Sequence, residues 1–166
     1  MTIRTAILIV AYKSRDTLPR LSEALAAQSV APGRVYVLEN GSPPGERADA
    51  GLLPSGAELI VSEANTGFAA GNNLLARKAA KDGAEWLILL NPDAFPEPDW
   101  LERLLAATKR FPHASIFGCT QTAYGQDGVL DGCGDVYHVA GIPYRGGYGR
   151  TMTPPPTGEV FAACGA

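Results

Sequence analysis

The chain has 166 residues, of which 46% are hydrophobic and 19% charged, with a formal net charge of −3. A chain of this length buries roughly two-thirds of its unfolded surface, so we expect a single domain over residues 1–166 with a conventional core. The interspersed charges provide no basic face for nucleic acid, and no apolar run approaches the ~20 residues of a membrane span, which excludes nucleic-acid binders and membrane-spanning chains.

The first two predicted elements are a strand and a helix. The apolar run Thr5–Val10 predicts a strand. It is not typical of a signal peptide, because no small-residue cleavage site follows it. The next segment predicts a helix capped by Asp16 or Thr17, with Pro19 in its first turn. Three leucines recur there at spacings of three and four: Leu18, Leu21 and Leu25.

The middle of the chain adds two strands and a second helix. The runs Val35–Glu39 and Leu59–Ser62, like the other two predicted strands, have their apolar residues in succession rather than in alternation, as expected for parallel strands that are covered on both faces. A helix is then predicted from about Phe68 to Asp82, with Leu75 and Ala79 on its buried side.

The fourth strand and the third helix complete the regular part. Trp86–Leu90 predicts a buried strand, and an apolar stripe after Asp99 predicts a helix that ends before Phe111-Pro112. Short strands that alternate with helices indicate an α/β fold, a Rossmann-like, mostly parallel sheet flanked by helices. Residues 1–118 form this predicted core.

Residues 119–166 are rich in Gly and Pro, so we expect an irregular region with short strands. Thr153–Thr157 contains three consecutive prolines and predicts an extended polyproline II segment. A last apolar run, Val160–Ala163, leads into Cys164-Gly165-Ala166, where the chain ends as though truncated within an element. If a further layer normally covers that run, its exposure favours self-association.

The cysteines and the charge pattern suggest a compartment. Cys119, Cys133 and Cys164 are odd in number and form no CxxC pair, which suits a reducing environment and disfavours a zinc site. We therefore expect a cytoplasmic protein, including one peripheral to the inner face of the membrane.

Several common active-site motifs are absent from the sequence. The turn after the first strand, Ala11–Asp16, contains no glycine, which excludes a GxGxxG dinucleotide fingerprint there. The chain has no GxxxxGK[ST] phosphate loop and no GxSxG nucleophile elbow. His113 and His138 are better explained as surface or loop residues than as general bases.

Polar or aromatic groups lie at the carboxyl end of each predicted strand. Tyr12 follows the first strand, Glu39 ends the second and leads into Asn40-Gly41-Ser42, Asn65-Thr66-Gly67 follows the third, and Asn91-Pro92-Asp93 follows the fourth. Each group alone is explained by an ordinary turn or an exposed strand end. In open α/β sheets, however, ligands bind outside the carboxyl ends of the strands. An aromatic ring, a carboxylate and a metal-binding Asp at this edge together favour a nucleoside diphosphate ligand.

The chain resembles the family 2 glycosyltransferases, most closely their rhamnosyltransferase-like branch, over roughly residues 3–118. Four ordered motifs carry the resemblance: Ile9-Val10-Ala11-Tyr12, Val37-Leu38-Glu39-Asn40-Gly41-Ser42, Asn65-Thr66-Gly67-Phe68-Ala69-Ala70-Gly71-Asn72-Asn73 and Leu89-Leu90-Asn91-Pro92-Asp93. It implies a glycosyltransferase A-type fold and an inverting transfer of sugar from a UDP- or dTDP-sugar to a glycan, lipid-linked or other hydroxyl acceptor in polysaccharide biosynthesis.

The resemblance also implies roles for particular residues. The donor site would comprise Val10, Ala11, Tyr12, Glu39, Gly67, Asn73, Asn91 and Asp93. The Tyr12 ring would lie against the nucleobase and Glu39 would hydrogen-bond the base. The sequence departs from the family pattern at Lys13, where Asn is usual, and at Glu39, where Asp is usual.

Metal dependence is a further implication of the resemblance. Asp93 would bind Mn²⁺ or Mg²⁺, which would stabilise the negative charge on the departing nucleoside diphosphate. The family's general base lies in a Glu-Asp motif further along the chain than Ala166. Asp127, Asp131 and Asp135 are better explained as solvated loop acids than as the base.

Two alternatives remain open from the sequence. One is a nucleotide-sugar binding module without catalysis, because the sequence ends at Ala166, before the family's Glu-Asp motif. A nucleotidyltransferase is the other, although a Gly-rich basic loop would be expected after its first strand, where Ala11–Asp16 contains no glycine.

Overall fold

The computed structural model describes residues 4–163. The described part of the chain folds into two compact units, residues 4–110 and residues 111–163. The expectation about Cys164-Gly165-Ala166 lies outside the described residues.

The first unit contains a four-stranded parallel sheet in the order β3-β2-β1-β4. Its strands are β1 (Thr5–Ala11), β2 (Arg34–Asn40), β3 (Glu58–Ser62) and β4 (Trp86–Leu89). Each lies within one residue, at either end, of the predicted run. The predicted α/β class with a mostly parallel sheet is therefore confirmed.

Three helices flank this sheet: α1 (Leu18–Ala26), α2 (Phe68–Lys81) and α3 (Trp100–Arg110). A short 3-10 helix, Ala50–Leu52, lies between β2 and β3. The stripe predicted for α1 is confirmed, since its three leucines are buried. In α2 the predicted Leu75 and Ala79 are buried as well.

Alternate residues of β1 build two core layers. Ile7, Ile9 and Ala11 pack in the layer that contains the buried leucines of α1 and α3. Leu8 and Val10 pack in the layer that contains Leu75 and Ala79 of α2 and Leu38 of β2. Every residue of β1 is buried, so this strand is the centre of the unit.

Helix α2 approaches the sheet closely at Gly71. A Cβ atom there would lie 2.9 Å from Val10 Cγ1 and 3.0 Å from Leu38 Cδ2, which is closer than side-chain packing allows. Glycine at this position thus lets the helix backbone rest directly on β1 and β2.

The prediction that all four strands are covered on both faces is wrong for β3 and β4. Leu87 and Leu89 of β4 are 37% and 45% exposed, and Val61 of β3 is 52% exposed. Leu87 and Leu89 pair with Ala6 and Leu8 of β1, which places them on the α2 face of the sheet. The single helix of that face packs on β1 and β2 and leaves these two leucines of β4 open, whereas Val61 pairs with Glu39 and lies on the opposite face of the sheet.

A polar network lies at the amino-terminal end of β2. The Tyr36 hydroxyl donates to Asp82 Oδ2 at 2.7 Å, and Lys78 Nζ lies 3.0 Å from the same oxygen and 3.2 Å from Glu58 Oε1. Burial, followed by the hydrogen bond to Asp82, raises the pKa of Tyr36 above its ordinary value. The hydrogen bond from Tyr36, followed by the one from Lys78, lowers the pKa of Asp82.

The second unit contains two antiparallel strand pairs. β5 (Gln121–Thr122) pairs with β6 (Leu130–Gly132), and β7 (Asp135–Tyr137) pairs with β8 (Pro143–Arg145). The proline-rich stretch 153–157 is exposed and outside regular structure. Val160 and Phe161 are exposed, and self-association through them stays a prediction.

No helix within residues 4–163 combines the length and the hydropathy that crossing a bilayer requires.

The Asp82 network predicts a pH-dependent contribution to stability. Because the folded-state pKa of Asp82 lies below its unfolded value of about 4, the carboxylate stabilises the fold above that pH, and this stabilisation is lost as the pH falls through the folded-state pKa. In urea unfolding, Asp82→Asn should have a lower midpoint than the parent at pH 7. The difference between the two midpoints should disappear on acidification. Asp127→Asn, which removes an exposed acid, should show little gap. A gap for Asp82→Asn that stays constant with pH would contradict this assignment.

Candidate functional site

The chain order of the sheet reverses between β1 and β4, which is where open α/β sheets form their ligand crevice. Tyr12 and Lys13 follow β1 directly. β4 ends at Leu89, which pairs with Leu8, whereas β1 continues to Ala11. The turn Asn91-Pro92-Asp93 therefore leaves the sheet level with the last residues of β1.

Of the three residues predicted at the base site after β1, only Tyr12 is open to solvent. Its side chain is 43% exposed, whereas Val10 and Ala11 are buried in the two core layers. The Tyr12 N–H donates to Ser14 Oγ at 3.2 Å, and Ser14 Oγ donates back to the Tyr12 carbonyl at 3.0 Å. This local ring of hydrogen bonds holds the backbone that presents the tyrosine.

Lys13 adopts a backbone conformation that is unusual for its residue type. Its φ of 54° lies in the left-handed region, which costs a non-glycine residue roughly 1 to 2 kcal/mol. The Lys13 N–H donates to Ser42 Oγ at 2.9 Å, and the Lys13 ammonium lies 5.7 Å from the centre of the Tyr12 ring. The loop after β2 thus holds the backbone of the strained residue in place.

Glu39 is buried, with 1% of its surface exposed, and its carboxylate holds the loop after β2. The Ser42 N–H donates to Oε1 at 2.7 Å and the Ala48 N–H donates to Oε2 at 2.6 Å. Both oxygens therefore accept backbone hydrogen bonds from the same loop. The contact of Glu39 with a nucleobase stays a prediction.

Asn40 joins the loops that follow β2 and β3, a role that the sequence analysis missed. Its Oδ1 accepts from the Thr66 N–H at 3.0 Å and from the Thr66 hydroxyl at 2.9 Å, and its Nδ2 donates to Asn65 Oδ1 at 3.2 Å. The only sequence signal for this role is the Asn40-Gly41 pair, and that pair is typical of a simple turn. Only the fold shows that the amide spans two loops.

Gly41 allows these two loops to touch. Its φ is 74°, and a Cβ atom at this position would collide with the backbone of Ala64 and Asn65. Both the backbone conformation and the close approach therefore require glycine.

The amino terminus of α2 lies at the same edge of the sheet. Gly67 is its N-cap, with a φ of 83° and open space around the position of a Cβ atom. Asn73 is exposed one turn into the helix, whereas its neighbour Asn72 is buried and donates to the Phe68 carbonyl at 3.0 Å. The first N–H groups of a helix have no intrahelical partner and favour anions.

Asn91 and Asp93 lie in a tight turn after β4. The Ala94 N–H donates to the Asn91 carbonyl at 3.1 Å, and Asn91 is partly buried while Asp93 is exposed. Residues 4–163 contain no cluster of three His, Cys, Asp or Glu side chains that could hold a metal ion. A single exposed carboxylate nevertheless fits the way proteins hold Mg²⁺, through one or two carboxylates together with substrate phosphates.

The prediction that Asp127, Asp131 and Asp135 lie in loops is wrong for two of them, because Asp131 lies in β6 and Asp135 in β7. Asp131 forms an ion pair with Arg145 at 2.6 Å. This pairing agrees with a structural use of Asp131 rather than with a free general base.

Comparisons with known proteins connect this geometry to a family. The family described as Glycosyl transferase family 2 matches residues 6–148. Two curated proteins, both named N-acetylglucosaminyl-diphospho-decaprenol L-rhamnosyltransferase, from Mycobacterium tuberculosis strains CDC 1551 / Oshkosh and ATCC 25618 / H37Rv, are 29% identical to the chain over 126 residues. The match covers 71% of this chain and 41% of each relative, so the chain spans less than half of their length.

Solved structures with the same fold include S. aureus TarS. One crystal structure of TarS has a TM-score of 0.57 at 17% identity, covering 76% of this chain and 23% of TarS. Another, of TarS 1-349 in complex with UDP, has a TM-score of 0.54 at 16% identity and covers 76% of this chain and 39% of that one. At this identity the likeness shows the fold alone.

The two loops at the sheet edge generate a prediction about Gly41. Gly41→Ala should destabilise the protein by about 2 to 4 kcal/mol, because it adds a collision with backbone to the cost of a positive φ. Gly45→Ala is the matched control, since Gly45 has a φ of 92° but no atom within 4 Å of a Cβ position. That variant should lose only the conformational cost of about 1 kcal/mol in chemical unfolding. Equal losses would show that the loops do not require the close approach.

Proposed function

Because the chain belongs to glycosyl transferase family 2, we propose that it transfers a sugar from a UDP- or dTDP-sugar to a hydroxyl acceptor with inversion at the anomeric carbon. The donor binds at the carboxyl edge of the parallel sheet. The match of residues 6–148 to this family confirms the resemblance drawn from the four sequence motifs.

The observation that supports this donor site is the arrangement at the reversal point of the sheet. Tyr12 presents a solvent-open ring at the end of β1, and the Asn91-Pro92-Asp93 turn follows β4 at the adjacent position. The ring provides a surface on which a nucleobase stacks. The buried side chains of Glu39 and Asn40 hold the surrounding loops in place before any ligand arrives.

The diphosphate of the donor would find positive charge at the same edge. The Lys13 ammonium lies beside the Tyr12 ring, and the amino terminus of α2 begins at Gly67. An ammonium and free helix N–H groups both favour phosphate oxygens. Gly67 and Asn73 shape this side of the donor cleft in the proposal.

Asp93 would hold Mn²⁺ or Mg²⁺ together with diphosphate oxygens, and Asn91 would contact the ribose or the sugar. A bound divalent cation supplies neutralisation of the negative charge that develops on the departing nucleoside diphosphate. The exposed position of Asp93 leaves its carboxylate accessible to such an ion.

The names of the curated relatives suggest the class of acceptor. Those proteins are named for transfer to N-acetylglucosaminyl-diphospho-decaprenol. For this chain we propose a glycan or a lipid-linked glycosyl diphosphate as acceptor, in polysaccharide biosynthesis. Such an acceptor would place the protein in the cytoplasm at the inner face of the membrane.

Nucleotide binding tests the role of Tyr12. In isothermal titration of the full chain with UDP and dTDP, Tyr12→Ala should raise the Kd of the better-bound nucleotide about tenfold or more, because the stacked ring is lost. Tyr12→Phe retains the ring and should stay within about threefold of the parent. Tyr124→Ala, which removes an exposed tyrosine of the second unit, is the control. An unchanged Kd for Tyr12→Ala would refute the stacking assignment.

Thermal unfolding tests the role of Asp93 separately. The nucleotide should raise the Tm of the parent, and added Mn²⁺ should raise it further, because both ligands bind the folded state. Asp93→Asn should retain the increment from nucleotide and lose the increment from Mn²⁺, whereas Asp127→Asn should retain both. If Asp93→Asn and the parent show the same Mn²⁺ increment, Asp93 is not the metal ligand.

A further inference from the structure

The second unit contains a cleft that is lined by residues of this unit. This open cleft has a volume of about 780 Å³ and lies among residues 131–150. Its lining includes Asp131, Tyr144, Arg145, Tyr148 and Arg150. A volume of this size accommodates a small-molecule ligand such as a sugar with a phosphate.

Positive charge is concentrated in this cleft. Arg145 and Arg150 are the only Lys or Arg residues in the sequence after Arg110, and both line the cleft. The positive charge of Arg145 is balanced by Asp131, whose Oδ2 lies 2.6 Å from Arg145 Nη1. Arg150 is exposed and has no ion pair within residues 4–163. The cleft therefore carries one uncompensated guanidinium, which is a favourable partner for a phosphate.

Two aromatic rings accompany the guanidinium. Tyr144 and Tyr148 are 52% and 66% exposed, although burial of a tyrosine ring is normally favourable. Rings of this kind pack against the apolar face of a pyranose and leave their hydroxyls free for hydrogen bonds. The lining thus combines groups for a sugar ring with a group for an anion.

The backbone that presents these side chains is held in place from below. Leu130, which is 1% exposed, donates its N–H to the Arg150 carbonyl at 3.0 Å and accepts from the Gly149 N–H at 2.9 Å. A Cβ atom at Gly147 would lie 2.9 Å from Leu130 Cδ1, so the turn packs directly on this buried leucine. Tyr148 and Arg150 therefore project from a fixed turn, which reduces the entropic cost of binding.

We propose that this cleft binds the glycosyl phosphate head of the lipid-linked acceptor, with the phosphate on Arg150 and the pyranose against Tyr144 and Tyr148. The inference rests on the proposed function for the identity of the acceptor. A glycosyl phosphate is also part of the nucleotide-sugar donor, so the test distinguishes the two sources.

The test is NMR titration of the full chain with N-acetylglucosamine 1-phosphate, with N-acetylglucosamine as the neutral control. The phosphorylated sugar should bind about tenfold more tightly and should shift the amide signals of Gly146, Gly147 and Gly149. Arg150→Gln and Tyr148→Ala should each raise its Kd by about tenfold. Arg77→Gln and Tyr124→Ala, which remove an exposed cation and an exposed ring outside the cleft, should leave it unchanged.

Equal affinity for the two sugars, or an unchanged Kd in Arg150→Gln and Tyr148→Ala, would overturn the proposal. Repeating the titration with saturating UDP distinguishes the acceptor from the donor. Retained binding of N-acetylglucosamine 1-phosphate supports an acceptor site in the cleft. Its displacement by UDP would show that it occupies the donor site and would refute the proposal. Tyr12→Ala should weaken UDP and leave the probe unaffected. Failure of the parent to bind either nucleotide would count against the proposed function, while the response of the probe would still decide the cleft.

Discussion

The complete burial of β1 is the constraint on which the candidate site depends. This strand pairs with β2 on one side and β4 on the other, and its alternate residues supply both core layers. Because parallel pairing brings all carboxyl ends to one edge, the side chains that follow β1 and β4 become neighbours although about 80 residues separate them. The position of Tyr12 is thus set by the buried strand that precedes it and by its backbone hydrogen bonds with Ser14.

The polar residues at this edge divide into two groups with different physical roles. Glu39 and Asn40 are buried and accept backbone hydrogen bonds from neighbouring loops. A buried carboxylate or amide is tolerated only when it is hydrogen-bonded, so these residues act as positioning groups. Tyr12, Lys13 and Asp93 are exposed, so their side chains are open to solvent at this edge. Lys13 also has a strained φ, and backbone strain is common at functional positions.

The second unit carries aromatic and guanidinium groups whose proximity its sequence pattern does not indicate. Short strand pairs and glycine turns supply little core, yet they bring Tyr144, Tyr148 and both arginines of this region to one cleft. The two units thus offer distinct chemistry: an aromatic ring with a carboxylate in one, and aromatic rings with guanidinium groups in the other.

The sequence by itself determined the order of strands and helices, the parallel α/β class and the family motifs, because consecutive apolar runs and helical spacing distinguish strands from helices. It also predicted which residues follow each strand. Only the tertiary structure decided which of those residues are buried: Glu39 and Asn40 became loop ties and Tyr12 stayed open, and nothing in the local pattern separates the two cases. Two further features could not be predicted from the sequence. One is the exposure of Leu87 and Leu89, and the other is the position of Arg145 and Arg150 in one cleft. Both depend on contacts between segments that are distant along the chain, and local spacing does not encode such contacts.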